Sequence, residues 1–175
     1  ILYLMTAQGC NLECKYCPVP EIAKKYGESV LSAEDAFAGI DLWKEHLKDV
    51  YDPALQYFVI FYGGEPLLNK MVIKASLSYL QIKKDIGELP QNLNIMIVTN
   101  GILIDEEIIH LCKKYEVMVA VGLDGPKSSN DALKVDGAGA GTFDQIVKSI
   151  RQLVQNNIKT FASVSITPFN IDQIA

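Results

Sequence analysis

The sequence predicts an α/β fold built from parallel strands. Three observations carry that reading. Short apolar runs recur along the 175 residues at Ile1–Met5, Tyr57–Tyr62, Leu93–Val98, Val117–Leu123 and Phe161–Ile166. Helical patterns lie between them. Each of the first four runs ends in a polar or glycine-rich motif. Strand alternating with helix implies βα units joined by right-handed crossovers.

The runs are rich in β-branched residues and apolar at nearly every position, a pattern that suits strands buried on both faces. The first helix starts at Ser32, with Asp35 three residues on as a capping-box-like pair. Phe37, Ile40, Trp43 and Leu47 form its apolar stripe. A second helix is expected over about 70–84 and a third over about 106–115, the latter with Ile108, Leu111, Cys112 and Tyr115 on one face. Thr142 and Gln145 give another capping-type start, followed by Ile146, Ile150 and Leu153. The stretch from Asp124 to Gly141 reads as a long loop made mobile by Gly137, Gly139 and Gly141. Asn170 to Ala175 reads as the first turn of a further helix, so a piece of a longer protein is expected. Five strands are too few to close an eight-stranded barrel.

Composition narrows the function. The chain is 49 % apolar and 21 % charged, with net charge −5, as in ordinary globular domains. Its mild acidity disfavours a phosphate-binding face, so no nucleic-acid partner is expected. No apolar run approaches the ~20 residues of a membrane helix, and no membrane partner is expected. No signal peptide is visible. Four cysteines, three of them clustered, are too few for a disulfide scaffold. They read as metal ligands in a reducing compartment, with cytoplasm as the default.

In parallel α/β folds chemistry collects at the C-terminal ends of the strands. The motifs fall there. Cys10, Cys14 and Cys17 follow the first strand in a C-x-x-x-C-x-x-C run. Three thiols with no fourth nearby leave one iron of a [4Fe–4S] cluster without a protein ligand. The alternative, structural zinc, normally takes four protein ligands in a closed site. His46 and His110 lie far along the chain on expected helices, and Cys112 reads as a small core residue.

Gly63, Gly64 and Glu65 follow the second strand. They read either as a tight turn with a capping acid or as a close-approach site whose carbonyls and carboxylate accept from an ammonium group. Thr99 and Asn100 read as a strand-ending turn. Asp124 either accepts from ribose hydroxyls or caps a turn. Tyr16 either shields a cluster, covers the flat face of a base, or simply packs.

The cysteine run with its aromatic residue resembles the radical S-adenosylmethionine superfamily. Phe61-Tyr-Gly-Gly-Glu-Pro-Leu-Leu68, Val98-Thr-Asn-Gly-Ile-Leu-Ile104, Leu123-Asp-Gly-Pro126 and Gly141-Thr-Phe143 resemble, in order, the catalytic domain of anaerobic sulfatase-maturating enzymes and SPASM-type peptide maturases. The resemblance implies a partial (β/α)6 TIM-like barrel with its last unit or units missing. It implies a core domain over 1–175, incomplete at its C-terminus, with the auxiliary-cluster domain absent. Cys10, Cys14 and Cys17 would ligate a [4Fe–4S] cluster. S-adenosylmethionine would bind its open iron and contact Gly63, Gly64 and Glu65, with Thr99, Asn100, Asp124 and Tyr16 around it.

The implied activity is reductive cleavage of S-adenosylmethionine and hydrogen abstraction from a peptide or protein side chain. A flavodoxin or ferredoxin would donate the electron. A radical enzyme acting on a small molecule, an iron–sulfur electron-transfer module and a zinc-stabilised binding module are the rival readings. The chain departs from the family at Gly122, where Ser is common. It departs again at Asn130-Asp131 and Lys134, where His-Asp and a later Arg are common. Lys134 then stands as the substitute cation for the cofactor carboxylate, a point charge in place of a planar fork.

Overall fold

A computed structural model describes residues 1–173. Five strands form one sheet in the order β1 (Leu2–Ala7), β2 (Tyr57–Gly63), β3 (Leu93–Thr99), β4 (Met118–Gly122) and β5 (Thr160–Ser163). Every neighbouring pair is parallel. Sequential strands side by side, with helices on one face only, make an α/β half-barrel: the parallel βα units follow the alternating pattern, and the partial barrel follows the family resemblance.

Helices α1 (Val19–Tyr26), α2 (Ala33–Val50), α3 (Lys70–Asp85), α4 (Glu106–Lys114), α5 (Lys127–Leu133) and α6 (Phe143–Gln155) complete the order, with a short 3-10 turn at Pro66–Asn69. The Ser32 cap forms: its hydroxyl accepts from the Asp35 amide at 3.0 Å. Ala36, Ile40, Trp43 and Leu47 are the buried residues of α2. Phe37 is only half-buried and stacks on Tyr79 with ring centres 4.3 Å apart. Asp105 caps α4 through the Ile108 amide at 3.0 Å.

The core lies between the helices and the convex face of the sheet. Val59, Phe61, Ile95, Ile97, Val119 and Val121 pack there against Ile40, Ile73, Leu77, Ile108 and Ile146. The opposite, concave face is different. Tyr3, Met5, Ile60, Tyr62, Met96 and Val98 line an open cavity of about 620 Å³. Tyr3 and Tyr62 meet edge-on at 6.2 Å.

Burial of the strands on both faces therefore holds for most of β4 but not for β1, β3 or β5. β1 and β3 alternate, because helices cover one side only. β5 is mostly exposed at the edge of the sheet. The expected mobile loop after β4 is also corrected. It contains α5 and a tight turn in which Asp136 accepts from the Ala138 and Ala140 amides, each at 2.9 Å. Thr142 does not cap α6. Its hydroxyl donates to the Lys134 carbonyl at 3.0 Å, and Asp131 accepts the Phe143 amide instead. The terminal turn is a 3-10 turn at Ile171–Gln173; Ile174 and Ala175 of that expected helix lie outside the described residues.

Candidate active site

The motifs converge on the C-terminal rim of the sheet. The cysteine loop leaves β1 and is bonded at once to the end of β2. The Gly64 amide donates to the Ala7 carbonyl and the Glu65 amide to the Gly9 carbonyl, each at 2.9 Å. This closeness explains the glycine pair. A Cβ on Gly63 would lie 2.1 Å from the Ala7 carbonyl oxygen, and one on Gly64 would lie 2.3 Å from that of Gly9. Gly63 also has φ of +149°, a region that side chains disfavour.

Glu65 is fully buried, at 0 % exposure. One carboxylate oxygen accepts from the Leu67 amide at 2.9 Å and the Thr99 hydroxyl at 2.7 Å. The other accepts from the Asn100 amide at 2.8 Å. Both the capping role and a link between β2 and β3 are thus realised. Burial pushes its pKa up, against the pull of those three donors. Asn100 then reaches the cysteine loop. Its side-chain amide donates to Asn11 at 2.9 Å and stands 3.7 Å from the Cys10 sulfur.

On the far side, Tyr16 donates its hydroxyl to Asp124 at 2.6 Å. Burial and this bond raise the phenol's pKa. Asp124 is 2 % exposed; its other oxygen accepts from the Ser165 amide at 2.9 Å. Lys134, 5 % exposed, pairs with the first oxygen at 3.3 Å. Lys134 and Gly122 belong together. A Cβ on residue 122 would lie 2.8 Å from the Lys134 ammonium nitrogen, so glycine leaves the space that the lysine fills. The sequence singled out both positions separately; their contact is visible only in three dimensions. Ser165 and Asn170, which donates to the Asp124 carbonyl at 3.1 Å, read in the sequence only as part of an apolar run and of a terminal turn; their site role stays hidden there because they lie about 40 residues away in an irregular segment.

The three cysteines are half-buried on one loop and close enough to influence one another electrostatically. Burial pushes the Cys14 thiol up to about 11, and Lys134 opposes it. Burial also raises Cys10, opposed first by the Leu12 amide. Among the described residues no three His, Cys, Asp or Glu side chains converge on the position of a single ion. A zinc ion would draw its sulfurs to within about 2.3 Å of one point. A [4Fe–4S] cluster spreads its ligands over separate iron corners. Three thiols spaced along one rim loop are a donor set that such a cluster would take. Cys112 lies in the hydrophobic core.

A parallel half-barrel carrying three free thiols on its first rim loop is the framework of an iron–sulfur enzyme. The chain belongs to the radical SAM superfamily, whose family model matches residues 4–175. The cofactors of that family are a [4Fe–4S] cluster and S-adenosylmethionine. The radical SAM cyclopropyl synthase TigE of Paramaledivibacter caminithermalis is 28 % identical over 165 residues, covering 89 % of this chain and 33 % of the relative. The GTP 3',8-cyclase of Clostridium perfringens is 27 % identical over 174 residues, covering 99 % and 49 %. The cysteine-type anaerobic sulfatase-maturating enzyme of the same organism is 28 % identical over 157 residues, covering 85 % and 39 %. The chain thus spans a third to a half of the length of these relatives. In fold it is similar to native anSMEcpe with bound AdoMet and the Cp18Cys peptide, at TM-score 0.72 and 23 % identity over 93 % of this chain and 41 % of that one. No helix among the described residues is long and apolar enough to cross a membrane.

Proposed function

We propose that residues 1–175 are the core domain of a radical enzyme that acts on a peptide or protein side chain. When bound, the cluster and S-adenosylmethionine supply a reactive radical that removes hydrogen from the substrate. The chain's own residues hold, orient and enclose. Cys10, Cys14 and Cys17 hold the cluster. Gly63, Gly64 and Glu65 form the wall that meets the cofactor's amino group, with Glu65 fixing the position of Thr99 and Asn100. Lys134 offers its charge to the cofactor carboxylate, and Asp124 and Tyr16 keep that ammonium in place. An electron donor such as flavodoxin or ferredoxin completes the reaction.

The observation that carries the reading is the single hydrogen-bonded rim that joins the cysteine loop to the ends of β2, β3 and β4. The similarity to a sulfatase-maturating enzyme and to a peptide-bound fold supports a peptide substrate. The similarity to a GTP cyclase supports a small molecule as the second reading. The concave cavity favours the first. Its six lining residues carry no charge, whereas a triphosphate needs cations.

Anaerobic reconstitution followed by dithionite reduction tests the proposal. The wild-type chain is expected to build a [4Fe–4S] signal that S-adenosylmethionine perturbs, and to release 5′-deoxyadenosine. A Cys14→Ala variant that did both equally well would refute the ligand assignment.

A further inference from the structure

We propose that Asp131 is a positioning residue for the cysteine loop, acting through the end of α5. This rests on the reading of that loop as the cluster site. The last carbonyls of any helix lack partners within the helix. Two of those of α5, and one just after it, are taken by the cysteine loop. The Ala132 carbonyl accepts from the Lys15 ammonium at 2.7 Å. The Leu133 carbonyl accepts from the Lys15 amide at 2.9 Å, and the Val135 carbonyl from the Glu13 amide at 2.9 Å. Glu13 and Lys15 flank Cys14 on both sides, so these two backbone bonds fix the direction of the middle ligand.

α5 has only seven residues, four of them the weak helix formers Ser128, Ser129, Asn130 and Asp131, and a helix this short needs an external hold. Asp131 supplies it. Its carboxylate accepts from the Phe143 amide at 2.8 Å and the Asn130 side-chain amide at 3.0 Å, and pairs with Lys127 at 3.3 Å. This ties α5 to the first turn of α6. Val135 and Gly141 form an antiparallel bridge beneath it, and the Thr142 hydroxyl holds the Lys134 carbonyl. The fit at Asp131 leaves no slack: a Cβ on Gly141 would lie 2.2 Å from its carboxyl carbon. The result is a closed clasp over 127–142 whose inner edge presents carbonyls to the cysteine loop. Asp131 itself makes no bond to that loop.

Hydrogen exchange tests this, read residue by residue on the full chain before and after anaerobic cluster loading. The Glu13 and Lys15 amides are expected to be protected in the wild-type chain without cluster. Asp131→Ala should accelerate both roughly tenfold, as for loss of a local hold, while amides of β2 and β3 keep their protection. Asp131→Asn retains an oxygen acceptor for Phe143 and should restore protection. After loading, the reduced cluster of Asp131→Ala should give an altered electron paramagnetic resonance line shape, and that of Asp131→Asn the wild-type one. Unchanged exchange at Glu13 and Lys15, uniform acceleration across the sheet, or failure of Asp131→Asn to rescue would each overturn the proposal. Should Asp131→Ala not fold, Gly141→Ala, which displaces the same carboxylate, must give the local pattern; its unfolding as well would assign the clasp to the fold alone. Exchange without cluster does not depend on cluster chemistry. Protected amides in a chain that never loads iron would therefore overturn the proposed function and leave this inference standing.

Discussion

The Asn100 amide donates to the buried carboxylate of Glu65 across 2.8 Å, joining the end of β3 to the loop that follows β2. Removing that carboxylate strands three donors: the Leu67 amide, the Thr99 hydroxyl and the Asn100 amide. Glu65→Ala is therefore expected to cost about 3 kcal/mol or more in urea unfolding. Glu65→Gln should cost less, since one oxygen remains, but its new N–H group faces another donor. Equal stability of Glu65→Ala and the wild type would show that the carboxylate is not engaged as described.

Gly64→Ala places a methyl group 2.3 Å from the Gly9 carbonyl oxygen, so the residues before Cys10 must move. The expected cost is about 1–3 kcal/mol of overpacking strain. The larger effect is local: iron per chain after reconstitution should fall well below that of the wild type. Iron content and the urea midpoint, measured on one preparation, separate the two.

Lys134 and Asp124 form a buried charge pair. Lys134→Met leaves the carboxylate without its cation and should cost about 3 kcal/mol. Asp124→Asn leaves the ammonium without its anion and should cost a similar amount. The double variant should cost less than the two together, with a coupling of about 1–3 kcal/mol. Additive losses in the cycle would mean that the pair contributes no mutual stabilisation.

Cys112 is 1 % exposed, and burial pushes its thiol up to about 12. The unfolded thiol ionises near ~8.5. Between these values the unfolded chain has released a proton that the folded chain still holds, so stability falls as pH rises, by up to ~1.4 kcal/mol per pH unit. Below ~8.5 both states are protonated and the slope vanishes. Denaturant midpoints at pH 8, 9.5 and 10.5 should fall more steeply for the wild type than for Cys112→Ala. Iodoacetamide should leave Cys112 unlabelled in the folded chain at pH 8.

The parallel strands and four of the helices were legible because apolar periodicity reports directly on which face is covered. α1 was not read, since its eight residues follow Pro18 and pack lightly. α5 was read as loop because its serines and asparagine are poor helix formers; the proline just before it was the available signal. Thr142 looked like a cap, but its hydroxyl turns away to donate to the Lys134 carbonyl eight residues upstream. At the site, the rim motifs were visible as local patterns. Their couplings were not, because Lys134 against Gly122 and Asn100 against Asn11 depend on how strands distant in sequence are brought side by side.

The bonds from Glu13 to Val135 and from Lys15 to Leu133 also set an order of events during synthesis. The cysteines leave the ribosome near the start of this segment, while the carbonyls that orient them emerge about 120 residues later. At ~5–20 residues per second that delay is roughly 6–24 s. Throughout it the nascent thiols hang on an unbraced loop, open to air and stray metal. Iron delivery is best timed to follow translation of the fourth strand–helix unit.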